Sequence, residues 1–420
     1  MNAFALFVKT LAANTARLNN LEAHSGAVTL VLGNESADLD SMVSSLALAF
    51  ALWTPQQAVP PIPVINTNRT DMALRPECAL LLETTLQQAG GRGVADLTFI
   101  DDFDLLRVVQ QGGGGGLDVW LADHNAPSSR QHVLEPFVRG IVDHHADEGR
   151  CMGATTRQIE PVGSCATLVA ARLRELSDRV ASPELAKLLI APILVDTSDL
   201  SPAARRATDK DVAMVSWLVP QVEWVHPAAI TGSADNDDDE PVSLDVSSTR
   251  ELYKTLDRLK GNVSHLPARD LLRKDYKQWT VSSGDAHPWA VGISSVSYRL
   301  RKWVKRDTRA GIERALGEWV SAQQLDVALV MTHGKAKPAK GAPKTYGRDL
   351  TVAFAPAIDP ERRQMVLDGL RQSDALRLEP FFGSLEQTDA PAFFFDQTRT
   401  ESSRKQVFPA VKSVIESISP

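Results

Sequence analysis

Between residues 29 and 145, short β-rich apolar runs alternate with helical stretches: Thr29-Leu30-Val31-Leu32, Val64-Ile65, Leu97-Thr98-Phe99-Ile100, Val119-Trp120-Leu121 and Gly140-Ile141-Val142. The runs are continuously apolar instead of alternating, which suits strands buried on both faces of a parallel sheet covered by helices. In such sheets ligands bind beyond the carboxyl ends of the strands. The residues expected there are Asn34 to Asp40, Asp101-Asp102, Asp123-His124-Asn125 and Asp143-His144-His145. Every run therefore hands the chain to polar, mostly acidic chemistry.

Helices are expected after this region, one from Ser164 to Glu175 with Ser164 as its cap, and one from Pro183 to about Leu194 that delivers Asp196. Thr208-Asp209-Lys210-Asp211 has the shape of a capping box. The polar, acidic stretch 231–246 reads as a linker, which divides the chain into domains at 1–230 and 247–420. The second domain reads as α+β. A helix is expected near Arg250 to Lys260, then strands near Trp279–Val281 and Ala290–Val296. A basic helix through Arg299–Trp319 and strands at Val327–Thr332 and Leu350–Phe354 follow. Gly112–Gly116 lacks the Gly-Lys-Ser/Thr of a phosphate-binding loop and reads as a connector, and Lys335–Lys344 reads as a loop. At the N-terminus, Phe4, Phe7, Leu11, Leu18 and Leu21 have the spacing of one amphipathic helix.

The 420 residues carry a net charge of −7, which excludes a protein that is basic all over and coats nucleic acid. That average conceals an asymmetry. Residues 1–240 hold 17 basic and 31 acidic groups, net −14, whereas 241–420 hold 28 and 21, net +7. An acidic half suits cations and a basic half a polyanion, so metal and anionic substrate are expected to meet at a cleft between the domains. Cys78, Cys151 and Cys165 are too few and scattered for a disulfide framework, and read as small apolar residues in a reducing compartment. No apolar run reaches the length of a membrane span, and the address expected is cytoplasmic, with a mitochondrial form left open by an N-terminus holding Lys9 and Arg17.

The acids and imidazoles recur in order: Asn34-Glu35-Ser36-Ala37-Asp38-Leu39-Asp40-Ser41, Asp123-His124-Asn125, Asp143-His144-His145 and Asp196-Thr197. Any one of these could be turn or cap chemistry. Four in order at the ends of apolar stretches suit a pair of divalent cations, which would offset the repulsion among so many carboxylates. Oxygen ligands with one imidazole favour Mg²⁺, Mn²⁺ or Co²⁺ over thiolate-bound zinc.

This ordered set resembles the DHH phosphoesterase superfamily, whose signature triplet stands here as Asp143-His144-His145. The resemblance implies Asp38, Asp40, Asp123, His144 and Asp196 as metal ligands, with Asp123 and Asp196 as bridges between two or more ions. It implies His145 as a phosphate contact and Asp143 as the residue that orients the triplet. Asp270-Leu271-Leu272-Arg273-Lys274-Asp275-Tyr276-Lys277 and Ser403-Arg404-Lys405-Gln406 are similar to the two substrate-binding signatures of the DHHA2 domain, so Lys277, Arg404 and Lys405 would grip phosphate. Asn34 stands where family II pyrophosphatases have a metal-binding histidine, as in fungal exopolyphosphatases, and would instead position the water.

The implied activity is that of an exopolyphosphatase, removing terminal orthophosphate from linear inorganic polyphosphate by a hydroxide activated between two metals. The protein is expected to act as a monomer, without nucleic acid or membrane partners. An inorganic pyrophosphatase or nucleoside-polyphosphate hydrolase is the alternative within the enzyme class. A prune-like binding or scaffold protein is the alternative outside it, although erosion of the triplet would be its mark and Asp143-His144-His145 is intact.

Overall fold

The computed structural model describes residues 2–21, 27–57, 59–112, 116–176, 182–225, 244–283, 288–336, 345–383 and 390–418. Residues 231–243 of the expected linker, 113–115 of the glycine tract and 337–344 of the lysine-containing loop lie outside them. The chain forms two compact units, Met1–Lys260 and Gly261–Pro420. Among the described residues no helix is long and apolar enough to cross a membrane.

The first unit is built on a six-stranded sheet of β1 (Val28–Leu32), β2 (Ile62–Ile65), β3 (Thr98–Phe99), β4 (Leu117–Ala122), β5 (Val138–Asp143) and β6 (Thr156–Ile159). Its order is β3-β2-β1-β4-β5-β6 and every pairing is parallel. The chain builds outward from β1 to β3, then returns to the far side of β1 with β4. The crevice at the carboxyl ends of β1 and β4 is thus a topological switch point. Continuous apolarity has a direct cause in β1: Val31 enters one core while Val28, Leu30 and Leu32 enter the other. Strand β6 was not expected; its Thr-Arg-Gln-Ile sequence is half-buried at the sheet edge and carries no apolar run.

On one face the helices Leu39–Leu52, Cys165–Glu175 and Pro183–Thr197 pack together, and every residue of the first from Leu39 to Ala51 is buried. A helix buried on all sides belongs in the centre of a fold, and its few polar residues, Asp40, Ser41, Ser44 and Ser45, are buried with it. The single amphipathic helix expected at the N-terminus is two, Ala3–Leu11 and Asn14–Leu18. Phe4, Phe7 and Leu11 serve one core, Leu18 and Leu21 the other, so no one helical face could satisfy both. Leu252 and Leu256 of the helix Thr249–Gly261, a segment assigned from sequence to the second domain, are buried in the first unit's core. The capping box at Thr208 is formed with Asp211.

The second unit holds β7 (Tyr276–Val281), β8 (Trp289–Val296), β9 (Val327–Ala336), β10 (Thr345–Phe354), β11 (Leu378–Pro380) and β12 (Phe393–Gln397), in the order β11-β12-β10-β9-β8-β7. Only β8 and β9 pair in parallel, and helices supply the crossover between them. The basic helix expected through Arg299–Trp319 is two, Leu300–Asp307 and Arg309–Ala322, interrupted at Thr308 where φ is +62°. One face of the sheet buries Val366, Leu367 and Leu370 of the helix Pro360–Gln372 and Val407, Val411 and Ile415 of the helix Arg404–Ser417.

Candidate metal centre

Beyond β1 the chain turns tightly at Gly33, where a Cβ would lie 2.5 Å from Ser41 Oγ. That hydroxyl accepts the Asn34 N–H at 2.6 Å, and Asp38 caps the helix Leu39–Leu52 by accepting from the Ser41 N–H at 3.1 Å. Asp40 thereby falls in the first helical turn and is buried. Its carboxylate accepts from the Cys165 and Ala166 N–H groups at 2.6 and 2.9 Å, and from Ser44 Oγ at 3.1 Å. It caps the helix Cys165–Glu175 from 125 residues away, the role expected of Ser164, whose side chain makes no cap bond.

At the end of β4, Asp123 adopts φ +65°, a left-handed conformation that an Asp side chain tolerates better than most. Its Oδ2 accepts from Asn34 Nδ2 at 2.6 Å. Its Oδ1 is buried without a hydrogen-bond donor, and stands 3.3 Å from His144 Nε2 and 3.7 Å from His145 Nδ1. His144 Nδ1 lies 2.9 Å from the Val162 carbonyl, which can only accept, so Nδ1 carries a proton, and when the ring is neutral its Nε2 lone pair faces Asp123 Oδ1 and, at 3.8 Å, Asp40 Oδ2.

Asp143, at the end of β5, organises the triplet from behind. Its Oδ1 accepts from the backbone N–H of His144 and His145 and from His145 Nδ1, at 2.8, 3.2 and 2.8 Å, and its Oδ2 from Asn125 Nδ2 at 2.6 Å. Burial pushes this carboxyl upward, but the bonds from His145 and Asn125 and the two imidazole charges outweigh it and hold Asp143 well below the usual carboxylate range. For Asp40 and Asp123 burial dominates, and each is raised, Asp40 further by Asp38 and Asp123 by Asp40. Asp196 sits in the last turn of the helix Pro183–Thr197 and is pushed up to about 7, first by burial, against the pull of Lys260, with Asp40 and Asp38 adding to the rise. Lys260 Nζ stands 3.8 Å from Asp196 Oδ1.

Asp123, His144 and His145 bring one ligand atom each within 4.8 Å of one another. Asp38, Asp40 and Asp196 are electrostatically coupled to the same centre. A buried carboxylate oxygen without a donor, mutually raised acids and an imidazole lone pair aimed among them fit a divalent cation, which would supply the missing positive charge. In the second unit, Lys277 lies on β7 and Lys405 is exposed. Arg404 opens the helix Arg404–Ser417 and donates to the Asp275 carbonyl at 3.0 Å and to its carboxylate, a partner that sequence did not anticipate. Asn125, the Val162 carbonyl and Lys260 were likewise given no role. Asp275 and Asn125 stood inside recognised motifs; Val162 and Lys260 did not. Cys78 and Cys165 are buried as expected, whereas Cys151 is partly exposed.

Residues 254–414 match the DHHA2 domain family. A Schizosaccharomyces pombe protein named "Putative exopolyphosphatase" is 32% identical over 320 residues, covering 72% of this chain and 71% of that protein. The Rattus norvegicus protein named "Exopolyphosphatase PRUNE1" is 28% identical over 400 residues, covering 92% of this chain and 75% of that protein. Among solved structures, one titled as a Methanococcus jannaschii "putative family II inorganic pyrophosphatase" shares the fold, with a TM-score of 0.57 at 18% identity, covering 92% of this chain and 99% of that one. With its Asp143-His144-His145 triplet at the head of β5's carboxyl end and its DHHA2 match, this chain belongs to the DHH phosphoesterase superfamily, in the DHHA2-containing family of proteins named as exopolyphosphatases.

Proposed function

We propose that the protein is a metal-dependent exopolyphosphatase that releases terminal orthophosphate from linear inorganic polyphosphate. The observation that carries this reading is Asp123 Oδ1, buried without a donor between two imidazoles at the switch point of the sheet. Asp38, Asp40, Asp123, His144 and Asp196 would hold two divalent ions, Mg²⁺ or Mn²⁺ with Co²⁺ as a further candidate. When bound, such ions supply Lewis-acid charge to a phosphoryl group and acidify water.

The chain's own residues do the rest. Asn34, whose Nδ2 donates to Asp123 and whose Oδ1 accepts from the Ser36 N–H, would orient the attacking water through the remaining lone pair of Oδ1. Asp143 holds the Nδ1 proton of His145, and Nε2, when the ring is also protonated there, would donate to a phosphoryl oxygen. Lys277, Arg404 and Lys405 grip the departing chain, and Asp275 holds the Arg404 guanidinium in one orientation before substrate arrives. No covalent phosphoenzyme is needed. The names of the relatives and the intact triplet support this reading over a binding or scaffold role. Phosphate release from long-chain polyphosphate and from pyrophosphate, assayed in parallel with Mg²⁺, Mn²⁺ and Co²⁺, tests it. Release from the long chain is expected, and turnover of pyrophosphate alone would overturn the assignment.

A further inference from the structure

The pairing of the second sheet gathers one set of strand ends at one edge. Ser295 donates its N–H to the Asp275 carbonyl at 2.8 Å, the carbonyl that also receives Arg404. Val296 on β8 pairs with Thr332 on β9, and His333 pairs with Arg348 on β10. Residues paired across strands share a face, and residues two apart along a strand return to it. Lys277 pairs with Ile293, Ile293 with Leu329 and Leu329 with Val352. It follows that Lys277, Ser295, His333 and Arg348 all lie on one face, the face whose inner positions are apolar core and which the helix Arg404–Ser417 covers.

On that face the chemistry changes abruptly at the strand ends. Ile293, Leu329, Met331, Leu350 and Val352 are buried in the core, yet the next positions outward are Ser295, His333 and Arg348. Ser295 Oγ and His333 Nε2 are 3.4 Å apart, and both side chains are half-buried. Arg348 is buried, and its Nε donates at 2.7 Å to the carbonyl of Thr400 in the loop that leads into Arg404. A hydroxyl, an imidazole and a guanidinium at successive strand ends can all donate hydrogen bonds, and phosphoryl oxygens accept them.

We propose that Ser295 and His333, backed by the fixed charge of Arg348, form a second phosphate subsite that binds a later phosphoryl group of a linear polyphosphate. This deepens the reading given under Proposed function and rests on it. From β7 the adjacent β8 is one strand spacing away, roughly 5 Å, and β9 is two, roughly 10 Å, so Ser295 lies beside the grip formed by Lys277 and Arg404 and His333 lies farther out. A pyrophosphate gripped at Lys277 and Arg404 is too short to extend to His333, whereas a longer chain can occupy both. The subsite would therefore select for chain length. Ser295 and His333 bind substrate here, and Arg348 is a positioning residue that also anchors the Thr400 loop.

The test uses the full-length protein and its His333→Ala, Ser295→Ala and Arg348→Lys variants. Long-chain polyphosphate, tripolyphosphate and pyrophosphate are compared by direct binding in EDTA and by turnover with Mn²⁺. For His333→Ala a five- to tenfold weaker binding and higher KM for the long chain are expected, with unchanged kcat and unchanged constants for any shorter substrate that is bound. Ser295→Ala should show a smaller loss of the same kind. Equal losses on all substrates, or none on the long chain, would overturn the subsite. If Arg348→Lys unfolds, the two half-buried positions still decide the question. Failure of the wild-type protein to hydrolyse polyphosphate that it binds would remove the proposed function and leave the binding comparison to judge the subsite; failure both to bind it in EDTA and to turn it over with Mn²⁺ would overturn both.

Discussion

The acids proposed to hold metal in the first unit and the cations proposed to grip phosphate in the second stand in different physical circumstances. In the first, Asp40, Asp123 and Asp143 are buried, their oxygens are committed one by one to named donors, and one oxygen, on Asp123, is left over. In the second, Lys277 is half-buried and Lys405 exposed, and Arg404 is steadied by the carboxylate of Asp275. A cation small enough to be coordinated requires ligands fixed to fractions of an ångström, which only packed elements provide. A phosphate chain is large, charged and mobile, and long cationic side chains at a surface can follow it. The difference in burial therefore matches the difference between the two proposed ligands.

This contrast gives an order of expected effects. Asp123→Asn removes a carboxylate at the centre of the first unit's site, and should lower turnover of polyphosphate roughly a thousandfold or more, as loss of an essential group does. Phosphate release at saturating Mn²⁺ measures it, and full activity would contradict the site. Asn125→Ala leaves every proposed ligand in place but frees Asp143 from its Oδ2 partner; a loss of about 10- to 100-fold in metal affinity is expected, read by equilibrium dialysis with Mn²⁺.

Arg404→Ala, in the second unit, should raise KM about tenfold with much less effect on kcat, since it removes a grip on the chain. A change in kcat alone would erase the distinction drawn between the units.

The smallest effect concerns stability without metal. Asp196 is raised from 3.8 to about 7, so its favourable neutral form is present below pH ~4 and is lost as pH rises toward 7. In EDTA, Asp196→Asn should therefore stabilise the protein at pH 8 relative to wild type, by about 1 to 2 kcal/mol, and bring no such gain at pH 4. Thermal unfolding at the two pH values measures it. An equal change at both would mean that burial of Asp196 is not the cause.

Much of the fold was legible because its signal is local. A strand buried on both faces must be apolar over most of its length, and β1, β2, β4 and β5 carry such runs, interrupted by few polar residues such as Thr29, Asp118 and Arg139. The edge strand β6 needs only half-burial, so its sequence says nothing distinctive. The break at residues 12–13 was missed for a related reason: apolar spacing reports which residues are buried, and not that they are buried in different cores.

By itself the sequence determined the α/β character of the first unit and the order of its acidic strand ends, because strand burial and motif chemistry are written in consecutive residues. The motif residues Asp123, His144 and His145 were named there too. Only the tertiary structure decided that Asp40 would cap a helix 125 residues away, that Val162 would fix the proton of His144, that Asp275 would hold Arg404, and that one oxygen of Asp123 would remain without a donor. Those outcomes depend on which strands become neighbours and where helices begin against them. Hydrogen bonds a few ångströms long join residues far apart in the chain, and no local pattern records such a meeting.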